Sequence, residues 1–252
     1  MLSRKLRPGT LVTLGTGESR RQGEVLEVVM ETANRSTLRV RWDDGRESRI
    51  DPKEHISRRR PALIYRPGRH DSRNVVLKRL AKHTVGAEVG VWKGDFAAQM
   101  LRIVRPQKLY LVDPWQFMPD HDHAHTRYGG SIAKSVKDMD EVHEYVQARF
   151  RKEIARSQVN ICRGDLAALV RQTPPPVLDW VYIDGDHNYP SVAADLANAV
   201  RLVRSGGFIL GDDYIDDGWW GDSVIRAVNE VIKKGDAKLR LVERSQYLLE
   251  RT

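Results

Sequence analysis

The sequence predicts an α/β protein, a largely parallel sheet with helical crossovers, preceded by a small all-β unit. Three observations carry this. Near residue 71 the chain changes from short, closely spaced β-prone runs to alternating strands and helices. Residues 178–214 read as one β-α-β unit. The strands of the second part also stop abruptly on acidic residues, which places carboxylates along one sheet edge.

Taken in order, the first part holds four β-prone runs, at 10–14, 23–30, 37–42 and 47–50. Gly, Asn, Ser and Asp separate them, and Asp44-Gly45 is a hairpin signal. About five short strands in this length suggest a small SH3-like barrel over residues 1–57. Its V-R-W-x-D-G-x-E stretch resembles a small bacterial domain family of unknown function, a resemblance that brings no chemistry. Residues 1–60 carry 14 Lys/Arg against 9 Asp/Glu, so much of the chain's formal charge of +8 sits here. The basic residues alternate with acids and only Trp42 accompanies them, which favours a solvated surface over a nucleic-acid face. Arg58-Arg59-Arg60-Pro61 and Arg66-Pro67-Gly68 mark a linker at 58–70, and the second domain occupies 71–252.

That domain opens with a helix, capped by Asp71 or Ser72 and running to about His83. Next come a strand, a turn at Gly90 and Gly94, and a helix with Phe96, Met100, Leu101 and Val104 on its apolar face. Strands ending at Asp113 and near Asp165 follow, with a long insertion between them. The run Trp180 to Ile183 leads to Asp184, Asp186 and His187, and Phe208 to Leu210 leads to Asp212 and Asp213. A helix with Val192, Leu196 and Val200 joins these two strands and closes at Ser205-Gly206-Gly207. A terminal hairpin at 238–250 completes seven strands.

The acidic edge is the chemical signal. Four carboxylates and His187 at the ends of two parallel strands repel one another unless a cation compensates them. Oxygen ligands in this number suit Mg²⁺, with Ca²⁺ or Mn²⁺ as substitutes. The plain alternative is that these acids cap helices and pair with Arg. The glycines at 86, 90 and 94 miss the dinucleotide spacing of i, i+2 and i+5, and no Gly-Lys-Ser/Thr phosphate loop is present.

What stands instead is E-x-G-x-x-x-G at Glu88, Gly90 and Gly94. It resembles the first motif of class I S-adenosylmethionine-dependent methyltransferases. D-G-D-H-x-Y and G-G-x-I-x-G-D-D-Y resemble the metal-dependent, macrocin-type O-methyltransferases that modify sugars. The resemblance covers roughly residues 72–250 and implies a Rossmann-like, seven-stranded methyltransferase sheet. It implies S-adenosylmethionine as cofactor, bound by Glu88, Gly90, Gly94, Asp113 and Asp165, with Gly90 and Gly94 at its methionine end, Asp113 at the ribose and Asp165 at the adenine. It assigns Asp184, Asp212 and Asp213 to a divalent metal, Mg²⁺ in the first instance, and the general base to His187 or Asp186. His187 needs the least tuning for that work.

The expected reaction is therefore metal-assisted O-methylation of a small-molecule hydroxyl. Two other readings stand beside it. One is an RNA- or protein-directed methyltransferase that uses the basic barrel for recruitment; the other is a cofactor-binding protein without turnover. In the insertion, His121, His123 and His125 are expected in a lid facing substrate or solvent, not in a transition-metal site. Trp219 and Trp220 either stack on an acceptor or close over the barrel core. A single cysteine, Cys162, excludes an intramolecular disulfide, and no apolar run reaches spanning length. A cytoplasmic homo-oligomer without membrane contact is expected.

Overall fold

The structure is a computed structural model that describes residues 11–14, 21–32, 35–42, 46–50 and 69–252, except 121, 122, 125 and 217. The chain divides into two compact units, Met1–Gly68 and Arg69–Thr252.

In the first unit, β1 (Leu11–Leu14), β2 (Arg21–Thr32), β3 (Arg35–Trp42) and β4 (Glu47–Ile50) form one antiparallel sheet in sequence order. Period-two alternation shows on β3: Leu38, Val40 and Trp42 are buried while Arg39 and Arg41 are exposed. Trp42 donates its indole N–H to Ser48 Oγ at 2.6 Å, and Arg41 pairs with Glu47 at 3.0 Å. The described residues form this single sheet. Closure into the expected barrel, and residues 58–68 of the expected linker, lie outside them.

The second unit is a seven-stranded sheet between two layers of helices. Its strands are β5 (Val85–Val89), β6 (Lys108–Asp113), β7 (Val159–Arg163), β8 (Leu178–Ile183), β9 (Val203–Gly211), β10 (Ala237–Glu243) and β11 (Gln246–Arg251). Their spatial order is β10-β11-β9-β8-β5-β6-β7. Strands β9, β8, β5, β6 and β7 run parallel, and β11 is antiparallel to both of its neighbours. Strand order reverses between β5 and β8, which opens the ligand crevice of such sheets at the carboxyl ends.

The parallel strands read as continuous apolar runs because both faces are covered. Leu109, Leu111, Trp180 and Tyr182 face one helical layer, formed by α1 (Arg69–Leu77), α2 (Asp95–Ile103) and α3 (Val136–Arg149). Tyr110, Val112, Val181 and Ile183 face the other, formed by α5 (Leu166–Gln172), α6 (Tyr189–Leu202) and α7 (Ser223–Lys234). A short α4 (Arg151–Ala155) follows α3. No described helix is long and apolar enough to cross a membrane.

Three boundaries differ from the sequence reading. Helix α1 begins at Arg69, so Asp71 and Ser72 lie inside it and do not cap it. Helix α1 stops at Leu77, short of His83, because Arg79 and Leu80 switch to i→i−3 hydrogen bonds with Val76 and Leu77. Ser205-Gly206-Gly207 does not cap a helix. Strand β9 already begins at Val203, and these residues bulge out of it where the register jumps from Leu178↔Val203 to Trp180↔Phe208.

Candidate active site

The carboxyl edge has a half on β5, β6 and β7 and a half on β8 and β9. In the first, Glu88 is the penultimate residue of β5 and only 1% exposed. Its Oε2 has no hydrogen-bond partner among the described residues. Burial, reinforced by Asp184, pushes its carboxyl well above the usual carboxylate range, against the pull of Arg73. The turn then passes Gly90, whose amide donates to Val112 O at 3.0 Å and whose φ is +86°. A Cβ there would sit 2.0 Å from the backbone oxygen of Asp184, so only glycine lets β5 and β8 approach this closely. Gly94, also left-handed, begins α2.

Asp113 ends β6 fully buried. Its carboxylate accepts from Trp92 N at 2.9 Å, Trp115 N at 2.7 Å and the Tyr128 hydroxyl at 2.5 Å. Burial raises its pKa while these donors pull it back. Asp165, just past β7, caps α5 by accepting from Ala168 N at 2.8 Å and is otherwise exposed, with Arg171 at 3.9 Å.

In the second half, Asp184 follows β8 and its amide donates to Val89 O at 2.9 Å. Asp212 follows β9, and both of its carboxylate oxygens carry protein donors. Oδ2 accepts from Arg73 Nε at 2.9 Å and from Arg73 Nη2; Oδ1 accepts from Ser245 Oγ at 2.6 Å, the Asp213 amide at 2.8 Å and Gln246 Nε2. Arg73 Nη2 also donates to Asp184 Oδ2. The guanidinium lies 4.9 Å from the ring centre of Phe96 and 5.8 Å from that of Tyr182. Burial works against its charge, but Asp184, Tyr182 and Asp212 outweigh it and hold the arginine charged.

Asp213 adopts a left-handed backbone, φ 62°, which aims its Oδ2 at His187 Nε2, 3.1 Å away. The Asp184, His187 and Asp213 ligand atoms all lie within 4.8 Å of one another. Two carboxylates and an imidazole are a donor set that fits a divalent cation. Asp186 serves its own loop: it accepts from Asn188 N at 3.2 Å, Asn188 Nδ2 and Ser191 Oγ at 2.9 Å.

The sequence reading placed Asp184, Asp212 and Asp213 together on a metal. Here His187 stands with Asp184 and Asp213, while Asp212 is turned to Arg73, Ser245 and Gln246. Two residues of this edge carried no expectation from the sequence. Arg73 is the first; its signal was a charge on an apolar stripe, since residues 73, 76, 77 and 80 share one helical face. Tyr128, on Asp113, had no signal. His123, expected in a lid facing substrate or solvent, has its Nδ1 2.6 Å from Asp120 and its Nε2 3.3 Å from Asp186. Burial opposes its protonation, yet Asp120 and Asp186 raise its pKa. His121 and His125 lie outside the described residues. Trp220 meets the His187 ring edge-on at 4.6 Å, and Trp219, 45% exposed, lies 6.1 Å from it.

Solved structures share this fold. The O-methyltransferase NovP matches over 72% of this chain and 80% of its own, with 22% identity and a TM-score of 0.51. The calicheamicin methyltransferase CalS11 matches over 73% and 80%, with 17% identity and a TM-score of 0.50. This strand order, taken with the chain's family membership, makes it a class I S-adenosylmethionine-dependent methyltransferase. The chain belongs to the methyltransferase domain family, whose model matches residues 87–214. A curated relative, the uncharacterized protein R132 of Acanthamoeba polyphaga mimivirus, is 38% identical over 63 residues. That match spans 25% of this chain and 28% of the relative.

Proposed function

We propose that this chain transfers the methyl group of S-adenosylmethionine to a hydroxyl of a small molecule, such as a sugar or other natural product. The observation that carries this is the junction at Gly90: the glycine turn and the Asp184–His187–Asp213 group meet with no room for a Cβ between them. Cofactor and acceptor chemistry therefore share one edge. The cofactor supplies an electrophilic methyl group and leaves as a neutral thioether. Gly90 and Gly94 would admit its methionine end, with the unpartnered Glu88 oxygen beside them as an acceptor for its ammonium. Asp113 would take the ribose hydroxyls and Asp165 the adenine. Since Tyr128 now donates to Asp113, a ribose hydroxyl would replace or join one neutral donor with another.

His187, oriented by Asp213, takes the proton as the acceptor oxygen bonds to the methyl carbon. A second reading is favoured by the close grouping of Asp184, His187 and Asp213. These residues would hold Mg²⁺ or Mn²⁺, which would acidify the acceptor hydroxyl. The imidazole then serves as ligand and Asp186 as base. Exposed Trp219 supplies an aromatic wall for a ring-shaped acceptor.

Calorimetric titration with S-adenosylhomocysteine tests the cofactor assignment. Binding is expected, with no binding of NAD, and Asp113→Asn should weaken it by about 1–3 kcal/mol. Tight NAD binding would overturn the reading. Melting curves with Mn²⁺ or Mg²⁺ against a chelator separate the two roles of His187. A stabilisation that Asp213→Asn abolishes supports the cation; its absence in the wild type leaves the His187–Asp213 base.

A further inference from the structure

We infer that Arg73 is the resident counter-ion of this edge: it takes Asp212 as its partner and shares Asp184, so that Asp212 does not ligate a divalent cation. The inference rests on the second reading above only for the identity of the cation's ligands. Arg73 lies on α1, ahead of the residues that the family model matches. It is 7% exposed and enters the edge over the adjoining rings of Phe96 and Tyr182. Its Nε and Nη2 both reach Asp212, and Nη2 also reaches Asp184. The other Asp212 oxygen is filled by Ser245, Gln246 and the Asp213 amide. A metal could use Asp212 only by evicting those donors from a residue that is 4% exposed.

The repulsion among strand-end carboxylates, which by itself argues for a metal, is thus already relieved by the protein's own cation. The edge can assemble empty, with its carboxylates in place before any divalent ion arrives. Arg73 is accordingly a positioning residue, acting through Asp184 and Asp212.

The test is a double-mutant cycle on the full chain, melted in chelator and again with saturating Mn²⁺. In chelator, Arg73→Gln should lower the midpoint by about 10 °C, because it strands the buried carboxylate of Asp212 and the half-buried one of Asp184. Adding Asp212→Asn should recover at least half of that loss, and adding Asp213→Asn should recover much less. Mn²⁺ should raise the midpoint of Arg73→Gln by more than that of the wild type, and Asp212→Asn alone should keep the wild-type response. An arginine that merely packs on Phe96 and Tyr182 would leave every Mn²⁺ response unchanged.

The proposal is overturned if Arg73→Gln/Asp212→Asn melts no higher than Arg73→Gln, or if Asp212→Asn loses the Mn²⁺ shift. Should Arg73→Gln not fold, a folded double variant is the rescue, and failure of both overturns the pairing. A wild type with no Mn²⁺ response removes the cation reading, while the chelator cycle still decides for or against Arg73.

Discussion

Asp113 and Asp212 are both buried carboxylates at strand ends of one sheet edge, yet their charges are met by different means. Asp113 is held by neutral donors, the phenol of Tyr128 and backbone amides that include those of Trp92 and Trp115. Asp212 is held by a guanidinium together with Ser245 and Gln246. Neutral hydrogen bonds are individually modest and can be exchanged for a ligand's hydroxyls at little net cost. A buried ion pair is different, because removing one partner leaves an uncompensated charge. The cofactor half of the edge is therefore built for exchange, and part of the acceptor half is locked. Between them, Asp184 is shared by Arg73 and the His187–Asp213 group.

The largest break in that arrangement comes at the joint. Gly90→Ala would place a Cβ 2.0 Å from Asp184 O at a residue whose φ is +86°, so strands β5 and β8 must part. We expect a loss of about 3 kcal/mol or more and no measurable S-adenosylhomocysteine binding, read by denaturant melts and calorimetry. A variant of near wild-type stability would mean that the two halves are not coupled through this contact.

Asp195 on α6 shows a third way to keep a carboxylate. Desolvation first, then the charges of Asp165 and Asp186, raise its pKa to about 7, against one backbone hydrogen bond from Leu166. Charges from both halves bear on it. The folded state thus holds a proton that the unfolded chain releases near pH 4. Relative to the unfolded chain, the contribution is most favourable below about pH 4 and is lost as pH rises toward 7. Asp195→Asn should flatten this slope, with a gain over the wild type about 2–3 kcal/mol larger at pH 8 than at pH 5. Parallel urea melts at the two pH values check it; equal gains at both would place the effect in packing rather than in the proton.

Much of this was legible in the sequence for a specific reason. A parallel sheet covered on both faces gives apolar runs that can end only where the chain reaches solvent or a site. The strand ends at Asp113, Asp184 and Asp212 therefore announced themselves. The Asp44-Gly45 signal likewise anticipated the β3–β4 pairing. What the pattern could not supply was the direction of each side chain. Asp212 and Asp213 are adjacent and identical in type, and only the left-handed backbone at Asp213 and the arrival of Arg73 divide their roles. That arginine comes from residues well before the glycine turn, a long-range pairing that periodicity does not encode. Tyr128 and His123 sit in an irregular insertion where no period exists to read.

The smallest effect on stability is expected at Trp219, where the comparison between an exchangeable and a locked half can be carried to the acceptor. Trp220 packs edge-on against His187, and its indole nitrogen is buried without a partner among the described residues. Trp219 is 45% exposed and stands farther from the same imidazole. A large aromatic left half in solvent contributes little to folding, because most of its transferable area is still wet. Trp219→Ala should therefore change stability by no more than about 0.5 kcal/mol and leave S-adenosylhomocysteine binding intact. If its face serves the acceptor, the same variant should raise KM for a ring-bearing hydroxyl substrate by roughly tenfold, the equivalent of about 1.4 kcal/mol. It should change kcat much less, since Trp219 does not carry the proton. A melting point lowered by many degrees would instead make Trp219 a structural cover of this edge, and the acceptor wall would have to be sought elsewhere.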